Sequence, residues 1–276
     1  MTQPNDSHDH DRGLRHDLPK LIQRRKALFA LGGLGVLAAG GYGMFASAET
    51  TAIASDGSTC VSDATETAGP YPADGTNAKA GQTVNVLEQS GVIREDLRPS
   101  FAGMTPVADG LKLTLALQLV NANAACTPLA GYALYLWHCD TIGQYSLYDT
   151  TDRNDLRGVG VSDAQGIVRF TTIFPGCYNG RWPHFHFEVF GSVDDIETGR
   201  DSLLISQLAL PEAECAAVYE TDARYANGTR NLGRQSLTRD MIFRDSSDAQ
   251  MAQRTVSLSG TAQTGYAGKA MIALAV

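Results

Sequence analysis

The sequence predicts an all-β fold, a single β-sandwich with long loops and little helix. Three observations predict it. Runs of about five to eight residues rich in β-branched and aromatic side chains recur along the chain, separated by Gly, Pro, Asn and Asp turn signals. The clearest run, residues 110–120 (GLKLTLALQLV), alternates apolar and polar positions and so sets one face of a strand against a core. Helical spacing is nearly absent: only residues 211–219, opened by Pro211 and containing alanines, read as a short helix.

Taken in order, residues 1–48 are expected to lie outside the fold. Gln23-Arg-Arg-Lys26 precedes a weakly apolar, glycine-rich run, and Ala46-Ser47-Ala48 has the small-x-small form of a cleavage site. Paired arginines before such a run read as a twin-arginine export signal that is removed. Residues 49–65 are small and polar and are expected to be a linker, with one domain over 66–276. Residues 66–75 (ETAGPYPADG) must be loop or turn. After the strand at 110–120, residues 131–138 (GYALYLWH) are apolar on both faces, as a strand buried within a sandwich would be. A turn at 163–166 leads into the strand 167–173 (IVRFTTI), which Pro175-Gly176 ends. Extended structure resumes over 183–190 and again over 203–209, and two strand-like runs, 254–258 and 269–276, close the chain.

The whole chain holds 22 Lys+Arg and 30 Asp+Glu, a net charge of −8. Residues 1–48 carry six of those Lys/Arg and four of those Asp/Glu, so residues 49–276 have a net charge of −10. That acidity argues against nucleic acid or anionic lipid as a partner. No apolar stretch after residue 48 is long enough for a membrane-spanning helix, so no membrane association is expected once the signal is cleaved. All five cysteines (Cys60, Cys126, Cys139, Cys177 and Cys215) lie after the signal, and an oxidising compartment would pair some of them.

The chemistry concentrates in residues 181–188 (RWPHFHFE). Successive strand side chains point to opposite faces, so His184, His186 and Glu188 share one face while Phe185 and Phe187 take the other. An isolated H-x-H is a weak signal, more often two polar residues on a solvent face. Here, however, only His138 is added to that pair after residue 48. Just upstream, the turn Pro175-Gly176 delivers Tyr178, and a glycine-containing loop after the strand 131–138 delivers Tyr145. Phenols near same-face imidazoles point to a metal that favours hard oxygen donors.

Three blocks in this order, Trp137/Asp140/Gly143/Tyr145, then Pro175/Gly176/Tyr178, then Arg181/His184/His186, give the sequence a resemblance to the intradiol ring-cleavage dioxygenases. Residues 65–71 (TETAGPY) resemble that family's substrate-side loop, and the likeness runs from about residue 60 to 190. The resemblance implies one Fe(III) per chain held by Tyr145, Tyr178, His184 and His186, with Arg181 stabilising negative charge that develops on the ring. It implies Tyr178 as the ligand that leaves the metal, Pro70 and Tyr71 as pocket-lining candidates, and a small aromatic diol and O2 as the reactants, giving a cis,cis-muconate. Two phenolates suit a hard ferric ion, and only a strong local cation keeps phenols ionised near neutral pH. Tyr148 is expected to support the site rather than bind metal, Glu188 to support the site or face solvent, and His138 to be hydrogen-bonded.

The family likeness also implies a Cys60–Cys126 disulfide, as in exported members, and Cys139–Cys177 is a candidate second bridge. The chain lacks the long helical segment that precedes the sandwich in cytoplasmic relatives, which leaves oligomerisation possible but unassigned. Only Asn179-Gly180 separates Tyr178 from Arg181, shorter than in many relatives, and a more open site for bulkier catechols is the expectation. The competing reading is an exported β-sandwich that binds aromatics or sugars around a structural metal without turnover.

Overall fold

The computed structural model describes residues 49–276, so the expected export signal over 1–48 lies outside the described residues. Two sheets face one another. The first is built from β7 (Ala133–Trp137), β8 (Arg157–Val161), β10 (His184–Phe190) and β11 (Leu204–Ala209), all antiparallel, in the order β11–β10–β7–β8. In the second, β5 (Lys112–Asn121) pairs in parallel with β13 (Gly265–Leu274), and β13 pairs with β12 (Ser257–Thr261). Along its other edge β5 pairs with β9 (Ile167–Ile173) and, at its end, with β6 (Thr127–Pro128). Leu113, Leu115, Leu117 and Leu119 project inward from β5 to meet Leu134, Leu136, Phe185, Phe187 and Val189 of the opposite sheet. Each leucine so buried contributes roughly 1.5–3 kcal/mol, which fixes the register that the alternation of residues 110–120 announced.

The first sheet is covered on both faces. Its outer face carries Tyr135, Trp137, Val159, Phe190 and Ile205, packed under Ala68, Tyr71, Ala73, Tyr145 and Tyr148 from the loops. This double burial is why every residue of β7 is buried and why its sequence is apolar at both parities.

Several elements differ from expectation. Residues 49–65 carry a small hairpin, β1 (Thr51–Ile53) with β2 (Thr59–Val61), fastened to the sandwich. Cys60 is bonded to Cys126, Gln253 donates to and accepts from the Val61 backbone at 2.7 and 2.9 Å, and Asp63 accepts from the Ala273 amide at 2.8 Å. From the end of the expected loop over 66–75, β3 (Asp74–Lys79) and β4 (Gln82–Asn85) form a second hairpin that the sequence reading did not assign. The helix read at 211–219 is α1 (Glu212–Thr221), followed by α2 (Gly228–Leu232). The strand expected from residue 254 starts later, as β12 at Ser257, because α3 (Asp248–Arg254) runs up to Arg254, started by a capping box in which Ser247 and Gln250 satisfy each other's backbone amides. Among the described residues no helix is long and apolar enough to cross a membrane.

Candidate active site

β10 places His184, His186 and Glu188 on the outer face of the first sheet, with His186 opposite Trp137 and Glu188 opposite Tyr135. Rings stack along that face: Trp137 lies on His186 with centroids 5.0 Å apart, and Tyr135 lies on Trp137 at 4.9 Å. The Nε2 atoms of His184 and His186 approach to 2.9 Å, and the Tyr178 hydroxyl stands 3.4 Å from His184 Nε2. The Tyr145 ring completes the cluster, 6.0 Å from Tyr178 and 6.1 Å from His186. The structure therefore brings together all four residues expected to hold a metal.

Two loops make this convergence possible. After β7, Asp140 Oδ1 accepts from the amides of Ile142 and Gln144 at 3.0 and 2.9 Å, turning the chain back towards Tyr145. The turn reaches a positive φ of +92° at Gly143, and a Cβ there would stand 2.6 Å from the Tyr178 Cβ. Only glycine supplies both that backbone and that contact. From the N-terminal side, Gly69 passes so near His186 that an added methyl would lie 3.1 Å from its Cε1. Beside it, Tyr71 packs against Tyr145 and Tyr148, with 5.0 Å between centroids in each case. Pro70 is half-buried and contributes its carbonyl, which accepts from Asn77 at 2.6 Å. Tyr148 serves the scaffold, since its hydroxyl accepts from the Ala73 amide at 2.9 Å and donates to Asn77 at 2.7 Å.

Burial favours the neutral forms of His184, His186 and Tyr145. A carbonyl can only accept, so the contact from His184 Nδ1 to the Trp182 carbonyl puts the proton on Nδ1 and leaves a lone pair on Nε2. Burial, with the Arg181 charge adding to it, lowers the pKa of His184; burial, then His184 and Arg181, lowers that of His186 well below the ordinary imidazole range. Both are neutral bases at pH 7. Burial pushes the Tyr145 phenol well up, the neighbouring Tyr178 adds to this, and Arg181 opposes it. The Tyr145 hydroxyl and His186 Nδ1 are buried polar atoms without a well-formed hydrogen bond. His138 is hydrogen-bonded as expected, to the Cys139 carbonyl at 2.8 Å and Thr172 at 2.7 Å, and burial draws its pKa down to about 4.

This donor set fits a cation. Two donors bound at right angles to one ion, each at about 2.1 Å, stand about 3 Å apart, which is the spacing of the two Nε2 atoms. Among the described residues no group of three or more His, Cys, Asp or Glu side chains could hold a metal, so the phenols are indispensable to any such site. A set of two imidazoles and two phenols, without thiolate, suits iron better than zinc.

Arg181 is 3% exposed and pairs with Asp240 at 3.0 Å while donating to Gln207 at 2.6 Å. Asp240 and Gln207 are the site residues that sequence reasoning missed. Gln207 left a signal, a polar residue amid the apolar run 203–209; Asp240 left none. Glu188 is not solvent-facing: it is fully buried, and a Cβ on Gly199 would collide with the carboxylates of Asp74 and Glu188. The second disulfide is absent. Cys139 and Cys177 are free, and each thiol donates to a different backbone carbonyl, Gly176 at 3.6 Å and Arg181 at 3.7 Å. Burial raises both thiols, Cys177 to about 12, and keeps them unreactive.

Residues 87–208 match the family model described as Dioxygenase. A solved intradiol ring-cleavage dioxygenase from Tetranychus urticae superposes with a TM-score of 0.53 at 22% identity, over 73% of this chain and 91% of that one. This is the intradiol dioxygenase fold. Two further solved structures match at lower TM-scores. The dioxygenase domain of a dioxygenase–carbohydrate-binding protein fusion from Streptomyces sp. SirexAA-E gives a TM-score of 0.44 at 21% identity, over 74% of this chain and 99% of that one. The 3-chlorocatechol 1,2-dioxygenase from Rhodococcus opacus 1CP gives 0.42 at 19%, over 65% and 64%. Among curated proteins no relative matches this chain.

Proposed function

We propose that this chain cleaves a catechol-type ring with O2 between its two hydroxylated carbons, yielding a cis,cis-muconate, and that one Fe(III) held by Tyr145, Tyr178, His184 and His186 serves the reaction. The convergence of two neutral imidazoles, 2.9 Å apart at Nε2, with two phenols carries this reading. When bound, ferric iron supplies a Lewis acid that binds the diol and draws electron density from its ring towards O2. The protein's own residues do the rest. His184 is held in the correct tautomer by the Trp182 carbonyl. Tyr145, buried under Tyr71, stays in place. Tyr178 is half-buried, so its oxygen, held as phenolate when iron is bound, would be the one to take a proton from an arriving diol and become a neutral phenol. Arg181 holds a fixed positive charge close to these groups, where negative charge on the substrate is stabilised without reorganisation. Tyr71 and Pro70 line the approach.

The reading extends to location: residues 1–48 act as a cleaved twin-arginine signal, and the Cys60–Cys126 bridge supports an oxidising compartment outside the cytoplasm. The short Asn179-Gly180 connection favours catechols bulkier than the unsubstituted ring. The test is a visible spectrum of purified protein before and after catechol is added without oxygen, followed by air and product identification. A red-brown tyrosinate-to-iron band that shifts with catechol, and a ring-opened diacid, are expected. A protein that remains colourless after ferric reconstitution would overturn the assignment and leave a binding module.

A further inference from the structure

The back of the site is built by chain beyond residue 208, outside the segment matching the dioxygenase model. Three side chains there hold the loop that carries Tyr178: the Tyr225 hydroxyl donates to the Phe174 carbonyl at 2.8 Å, Tyr219 to Pro175 at 2.9 Å, and Asn231 to Cys177 at 2.7 Å. Asp240 then takes over. Its Oδ2 accepts from Arg181 Nε at 3.0 Å and from the Trp182 amide at 2.7 Å. Its Oδ1 accepts from Arg181 Nη2 at 3.3 Å and from the Ile242 amide at 2.9 Å.

We propose that Asp240 is a positioning residue for Arg181, fixing the plane and direction of the guanidinium beside the His184–His186 pair. The proposal rests on the reading that Arg181 acts on the substrate. Arginine has a long, mobile side chain, and a two-point carboxylate contact on one edge sets both its rotation and its tilt. The second anchor, Gln207, is itself fixed: it lies opposite His186 in the sheet and donates to the Thr67 carbonyl at 3.2 Å. The guanidinium is thereby referenced to the same strands that carry the histidines. Asp240, 1% exposed, in turn has its carboxylate saturated by Arg181 and two backbone amides, so it cannot turn away. A buried arginine without this partner would be both costly and free to reorient.

The test uses the full exported chain and the variants Asp240→Asn, Arg181→Ala and their combination. Asp240→Asn is expected to lower kcat about 10- to 100-fold and to lower Tm, since Arg181 loses its buried carboxylate, while KM and the iron band stay near wild type, and Asp240→Glu is expected to recover part of the loss. On an Arg181→Ala background Asp240→Asn should change kcat no further. Unchanged kcat in Asp240→Asn, or losses that multiply in the double variant, would overturn the proposal. Should Asp240→Asn not fold, Asp240→Glu decides: lowered kcat at unchanged Tm supports the role, and wild-type kcat refutes it. A readout independent of turnover is the Arg181 Nε–H signal in 15N-edited NMR of metal-free protein, assigned by its loss in Arg181→Lys. Asp240→Asn should remove its protection from solvent exchange, and retained protection would refute the positioning role. Wild-type protein that turns over no catechol would sink the proposed function while this NMR comparison still judged Asp240.

Discussion

Gly143 is the residue on which the meeting of the two tyrosine loops depends. A side chain there would need φ near +92° and would press on the Tyr178 Cβ from 2.6 Å. Gly143→Ala is expected to cost about 1–3 kcal/mol and to push Tyr178 off its position, read as a lower Tm and a weakened iron band. Arg181→Ala should keep iron and colour yet lose roughly 100-fold or more in kcat, with some stability lost because Asp240 is left buried and unpaired. Normal turnover in that variant would remove Arg181 from the mechanism. Much of the site is legible at this scale. His184 and His186 stand out because period-two geometry puts alternate residues on one face, and Tyr145 and Tyr178 because each lies just after a glycine turn. Asp240 is not legible, since it meets Arg181 across 59 residues of chain and sits in a turn with no periodicity.

Among the elements, the β1–β2 hairpin carries the most consequence. Composition alone reads residues 49–65 as linker, because strands of three residues are too short to show an alternation. Its fastening comes from side chains distant in sequence. The Cys60–Cys126 bridge closes a span of 66 residues, and its loss in a Cys60→Ser/Cys126→Ser variant should cost about 4 kcal/mol, measured as a lower urea midpoint. Asp63, buried where the hairpin meets β13, has its carboxyl raised from 3.8 to about 6, chiefly by burial, with Arg254 opposing. The fold prefers the neutral form, so this contribution is complete below about pH 4 and disappears as pH rises through about 6. Asp63→Asn should remove that slope and gain up to about 3 kcal/mol at pH 7, seen by comparing chemical denaturation of both proteins at several pH values. The α3 capping box is written in Ser247 and Gln250, but the strand-like run just after it masks the short helix it starts.

For the whole molecule, the sandwich is legible from its strand rhythm, whereas the covering of the first sheet on both faces is not, since loops from far along the chain build the outer layer. The family match ends at residue 208, yet the fold does not. A chain truncated after residue 210 should fail to give a cooperative thermal transition or to retain iron, because it loses β13 and the side chains that hold the Tyr178 loop. A cooperative transition in that fragment would show the last quarter to be dispensable. The placement of β13 has a further outcome, in the order of synthesis. The strand between β12 and β5 is the last to be translated, and it joins β5 in parallel. Until it arrives, β5 keeps an open, aggregation-prone edge, so the sheet closes only once synthesis has passed Leu274. Folding of this sandwich is therefore completed from its C-terminal side, however early the strands of the first sheet come together.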